Sequence, residues 1–150
     1  TAAGCQLVAT CDLAIASENA RFATPGVNIG LFCSTPMVAL SRNISKKNSM
    51  EMLLTGDLID SYKAKEFGLV NRVVPENKLE QTVNEIAEKI LQKSSKTIAV
   101  GKKAFYEQLE LGVSEAYELT SMIMTENMTE YNAQEGVDAF LKKRPPIWKD

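Results

Sequence analysis

The sequence predicts an α/β body followed by a helical tail, and three observations carry that expectation. Strand-like runs ("DLAIAS", "RFATP" and "LVNRVVP") occur only in the first half. After Pro75 the apolar residues recur at helical spacing with no strand pattern among them. A 45% hydrophobic content over 150 residues allows a sizeable core in one domain, without a linker or repeat that would divide it into two.

Taken in order, the small and apolar residues from Ala3 to Thr10 predict a short helix, and residues 12 to 17 leave it as a buried strand. "RFATP" resumes as a second short strand, which Pro25 and Gly26 break. "GVNIGLFCSTP" reads as a loop, with Ser34 or Thr35 capping a helix over residues 36 to 42 and Pro36 in its first turn. Ser45 then heads a helix closed by Gly56, and Ser61 heads another closed by Gly68, which together predict a helical hairpin. "LVNRVVP" follows as a strand ended by Pro75. Leu79, Val83, Ile86, Ala87, Ile90 and Leu91 mark residues 77 to 93 as an amphipathic helix, and residues 95 to 110, 114 to 126 and 133 to 143 predict three more. So few short strands do not make a self-sufficient sheet, which predicts partner strands upstream of Thr1.

A net charge of −2 provides no basic field for a polyanion, so nucleic acid is not the expected partner. No apolar run approaches the ~18 residues of a membrane span. Cys5, Cys11 and Cys33 form no C-x-x-C pair and there is no histidine, so no zinc or other metal site is expected and the cysteines read as reduced thiols. The lack of histidine also removes any Ser-His or Cys-His nucleophile from within the chain. Chemistry then falls to carboxylates, Lys, Tyr, Cys or the backbone.

Four stretches in order, "AAGCQLVATCDLAIAS", "ARFATPGVNIGLFCSTP", "EMLLTGDLIDSYKAKEFGLVNRVVP" and "QEGVDAFLKKRPPIW", resemble the carboxyl-terminal part of the enoyl-CoA hydratase/isomerase (crotonase) superfamily. The resemblance covers essentially the whole chain and implies the crotonase fold, with its amino-terminal half absent. Residues 1–75 would end the α/β core with the oxyanion helix, the last strands and the helical hairpin. Residues 76–150 would form the helical region for CoA contact and oligomerisation. It further implies a mitochondrial protein of fatty-acid and lipid metabolism that binds acyl-CoA thioesters, needs no resident cofactor, and assembles as trimers or hexamers.

By the same resemblance the thioester oxygen is held between two backbone N–H groups, one of which maps to Ala3 at the start of the first helix. Removing such a donor in other enzymes costs about 3 kcal/mol in the transition state. The two glutamates that manage water and proton in hydratases of this family map to Gln6 and, after Pro25, to Gly26. An amide does not titrate and glycine has no side chain, so neither position exchanges a proton. In the tail, Phe140 and Lys143 stand three apart, on one helical face. The resemblance places the matching aromatic by the adenine, and the matching lysine by a phosphate, of CoA on a neighbouring subunit. The residues alone allow as well a solvated basic tail with Phe140 in a core. Lys142 and Arg144 are secondary candidates.

Other residues have readings of their own. Cys33, at a loop-to-helix junction, is either a thiol of lowered pKa or, as favoured, a small residue against the pocket wall. Asn28 orients a water or, more in keeping with its type, stabilises the turn. Asp12 and Glu18 read as capping or solvated charges, Asp57 and Asp60 as structural acids, and "SMIMTENM" as core or subunit packing. Two functions remain open at this level. One is a lyase- or isomerase-like enzyme acting through oxyanion stabilisation. The other is a non-catalytic acyl-CoA-binding or oligomeric regulatory protein.

Overall fold

In the computed structural model, which describes residues 1–149, α1 (Ala3–Thr10) is followed by β1 (Ile15–Ser17) and β2 (Arg21–Phe22). A 3-10 turn at Pro25–Ile29 leads to α2 (Pro36–Asn43) and α3 (Lys46–Thr55), then β3 (Ile59–Asp60), α4 (Ser61–Phe67) and β4 (Arg72–Val74). After a 3-10 turn at Glu76–Lys78 come α5 (Leu79–Leu91), α6 (Ser95–Gln108), α7 (Val113–Thr129) and α8 (Tyr131–Leu141). The chain divides into two units, Thr1–Glu85 and Ile86–Asp150, with α5 beginning in the first and ending in the second.

In the first unit β1 pairs parallel with β4, Ala16 opposite Val73, and β2 pairs antiparallel with β3, Phe22 opposite Ile59. Asn71 locks the first pair just ahead of its first strand residues: its N–H donates to the Ala14 carbonyl at 2.8 Å, and its Oδ1 accepts from the Ala14 N–H at 2.7 Å. Cys5 and Ala9 of α1 join Leu40, Met52, Ala64 and Phe67 in one buried cluster, so the helices cover two short strand pairs rather than a broad sheet. Burial pushes the Cys5 thiol up, in keeping with a packing role.

Several expectations hold and several are corrected. α1 has the bounds read from the sequence, and Ser45 caps α3 by accepting from the Asn48 N–H at 3.2 Å, with Gly56 left-handed at the far end. Asp60, and not Ser61, caps α4: its Oδ1 accepts from the Lys63 N–H at 2.7 Å. Ser61 is fully buried and donates to the Glu18 carbonyl at 3.1 Å. The expected hairpin of α3 and α4 is interrupted by β3, which exists because β2 is there to pair with it. Neither Ser34 nor Thr35 caps α2 with its side chain; Pro36 at N1 needs no donor satisfied, and Ser34 Oγ turns back to the Phe32 carbonyl at 3.3 Å. The expected loop after Pro25 contains the 3-10 turn, closed by a left-handed Gly30.

In the second unit Ser94 caps α6 by accepting from the Thr97 N–H at 3.1 Å, and Glu115 accepts from the Gly112 N–H at 3.0 Å to fix the start of α7. Asn132 is buried, donating to Ser94 Oγ at 2.8 Å and accepting from the Lys149 N–H at 2.8 Å. The last helix runs Tyr131–Leu141 and not over residues 133 to 143. No helix among the described residues is long and apolar enough to cross a membrane.

Candidate functional site

The start of α1 is built around an unusual residue. Ala2 has φ 45° and ψ −112°, a conformation that an alanine adopts only under constraint, and its N–H donates to the Ala23 carbonyl at 3.0 Å. That bond ties the helix entrance to the segment leading from β2 into Pro25. In the first helical turn the Gly4 N–H donates to the Thr1 carbonyl at 2.8 Å and the Gln6 N–H to Ala2 at 2.9 Å. The Ala3 N–H has no acceptor among the described residues and lies at the positive end of the helix. Such a donor suits an oxygen on which negative charge develops. Gln6 is half-buried one turn in, and its carboxamide has no hydrogen-bond partner among the described residues. It can orient a polar group and cannot take up a proton.

Gly26 lies in the 3-10 turn, and the loop after that turn folds onto it. A Cβ at this position would stand 2.7 Å from the Leu31 carbonyl oxygen and 2.9 Å from Cys33 Sγ. The Gly26 carbonyl in turn accepts from the Leu31 N–H at 2.9 Å. Position 26 therefore lacks a carboxylate and also lacks room for one, because backbone and thiol occupy the space where a side chain would begin. Cys33 is half-buried and packs against the core cluster. Asn28 points its amide at the Gly56 carbonyl at 3.5 Å, joining the 3-10 turn to the end of α3, so its role is structural.

The tail departs from the expected geometry. α8 ends at Leu141, and Lys143 has φ 52°, so Phe140 and Lys143 do not share a helical face. Phe140 is 83% exposed and not in a core; with Val137, Leu141 and Trp148 it borders a hollow of about 590 Å³. Lys142 Nζ pairs with Asp138 at 2.8 Å, and Arg144 forks onto Glu135 at 2.6 and 2.8 Å while also reaching Asp138 at 2.7 Å. The Arg144 hydrogen bond and the Ile147 N–H hold the Glu135 carboxyl down at about 2, and Lys142 with Arg144 lowers Asp138. Lys143 has no carboxylate partner among the described residues.

The sequence did not reveal this Glu135–Arg144 network, though a carboxylate on α8 nine residues before an arginine was a signal of sorts. It also did not reveal that the Gly26 region is closed by a residue seven positions on. Glu18 and Asp57 are exposed, and Asp60 is spent on its cap. Met122, Met124 and Met128 are exposed as well, so the methionine stretch is a surface of the second unit and not its core.

Comparison with known proteins gives these features a setting. The family model "Enoyl-CoA hydratase/isomerase" matches residues 1–150. The chain is 53% identical over 148 residues to the mitochondrial enoyl-CoA hydratase domain-containing protein 3 of Xenopus laevis, covering 99% of this chain and 50% of that protein. It is similar to a crystal structure of an enoyl-CoA hydratase from Mycobacterium smegmatis, with a TM-score of 0.96 and 50% identity over 98% of this chain and 57% of that one. The human enoyl-CoA hydratase domain-containing protein 3 gives a TM-score of 0.95 at 50% identity, over 98% and 58% of the two chains. The chain spans about half the length of the curated relatives it matches. Matched along its whole length and in its fold, it belongs to the enoyl-CoA hydratase/isomerase family and carries the crotonase fold.

Proposed function

We propose that this chain handles acyl-CoA thioesters in mitochondrial fatty-acid and lipid metabolism, stabilising a thioester enolate through the Ala3 N–H. The observation that carries the reading is that this amide, alone in its helical turn, has no acceptor among the described residues, at the positive end of α1. Binding leaves the thioester oxygen facing a preorganised donor, and charge moving onto that oxygen is stabilised without reorganisation. Gln6 orients the bound group or a water, and Gly26 contributes nothing to proton transfer. Any acid or base comes from outside these residues, and hydration by the family's two glutamate positions is not the activity. The ligand is the CoA thioester itself, so no resident cofactor is required. Phe140 and Lys143 meet the adenine and a phosphate of CoA, within a trimer or hexamer of the intact protein.

The test is to incubate the intact protein with a panel of enoyl- and acyl-CoAs in heavy water and follow hydration, isomerisation and exchange of the α-proton. Exchange or isomerisation without hydration is the expected result; no reaction with any thioester overturns the catalytic reading. The closed space at Gly26 favours a second reading, a non-catalytic acyl-CoA-binding or oligomeric regulatory protein. That reading predicts CoA binding with no exchange, and no binding of CoA removes both.

A further inference from the structure

Lys143 stands where a glycine would be at ease. Its φ of 52° is left-handed, and among the described residues Ala2 alone shares a positive φ outside glycine. The Arg144 N–H donates to the Ala139 carbonyl at 3.0 Å and the Lys143 N–H to Phe140 at 3.2 Å, the pair of bonds that closes a glycine-type helix end. A lysine in this turn carries a conformational cost that glycine avoids, so neighbouring contacts must hold it there.

Those contacts are visible on both sides. Arg144 is fixed by its two-pronged bond to Glu135, whose Oε1 also accepts from the Ile147 N–H at 2.8 Å. Beyond it, Trp148 Nε1 donates to the Gln92 carbonyl at 2.8 Å, and the indole lies 3.5 Å from where a Cβ on Gly136 would be. Residues 144–148 are thereby strapped along α8. The same network assigns the local charges. Glu135 and Asp138 are engaged by Arg144 and Lys142, so of three consecutive cations only Lys143 keeps its ammonium clear of a carboxylate among the described residues.

We infer that Glu135 and Arg144 are positioning residues for Lys143: they hold the left-handed turn and occupy the nearby acids, leaving the ammonium available to a phosphate of CoA. This rests on the reading of Lys143 under Proposed function, and the two are separable by experiment. CoA affinity of the intact protein is measured by calorimetry across a range of salt for Lys143→Gly, Glu135→Gln and Arg144→Lys, with melting temperatures alongside. Lys143→Gly is expected to weaken CoA binding on the order of tenfold at low salt, to flatten its salt dependence, and not to lower the melting temperature. Glu135→Gln is expected to reproduce the weakening and the flattening. Arg144→Lys keeps the charge but loses the fork, so it is expected to do the same in part.

Unchanged CoA affinity in Lys143→Gly overturns the phosphate reading of Lys143, and the inference with it. Weakening in Lys143→Gly with unchanged affinity in both Glu135→Gln and Arg144→Lys overturns the positioning role alone. Loss of affinity by an equal factor at every salt concentration, together with a lowered melting temperature, shows that Glu135 and Arg144 only support the fold.

Discussion

At Gly26 a hydrogen is all that the surrounding loop accommodates. Gly26→Ala is expected to destabilise the protein by about 1–3 kcal/mol, because the Leu31 carbonyl is backbone and cannot rotate away; urea unfolding measures it. Gln6→Glu places an acid near the positive end of α1 and is expected to leave stability unchanged within about 0.5 kcal/mol in the same measurement. Asp60→Ala removes the cap of α4 and is expected to cost about 1 kcal/mol. That Gln6 and Gly26 cannot carry a titrating proton was plain in the sequence. The approach of Cys33 was not, because a contact made by a loop folding back leaves no periodicity. Likewise Asp60 and Ser61 are adjacent and both favour helix starts, and only the distant Glu18 carbonyl decides which of them turns inward.

Among the elements, the strap after α8 has a definite acid response. The Glu135 carboxyl is held at about 2 against an ordinary 4.5, so it stays charged in the folded chain at pH values where an unfolded chain has taken up a proton. The clamp therefore contributes its full stabilisation above about 4.5 and loses it as the pH falls towards about 2. The Trp148 indole N–H resonance, fixed by the Gln92 carbonyl, is expected to shift across that window in the wild-type protein and to lack that transition in Glu135→Gln. A transition that persists unchanged in Glu135→Gln would place its origin elsewhere. Most helices were legible from spacing and caps, α1 to the residue. β3 was not: two residues carry no pattern, and only its non-local partner β2 makes it a strand. The end of α8 was missed for the opposite reason, since "FLKKR" continues a helical pattern that the left-handed Lys143 stops.

For the molecule as a whole, the shortage of strands was the most informative part of the sequence, and the structure bears it out with two pairs and no wider sheet among the described residues. Each unit also exposes large apolar side chains, Leu7 at 67% and Leu31 at 63% in the first, Tyr117 at 71% and Phe140 at 83% in the second. The 150-residue chain expressed by itself is expected to bind an apolar dye and to elute from gel filtration ahead of a 16.5 kDa monomer. Elution as a dye-free monomer would show that these faces are tolerated in water. The pairing of β1 with β4 has a consequence for synthesis on the ribosome. Ala14 and Asn71 are 57 positions apart, so at about 5–20 residues per second β1 waits about 3–11 seconds for its partner. During that interval its edge stands open to other nascent chains, and the protein's vulnerability in the cell is greatest before translation of Asn71 is complete.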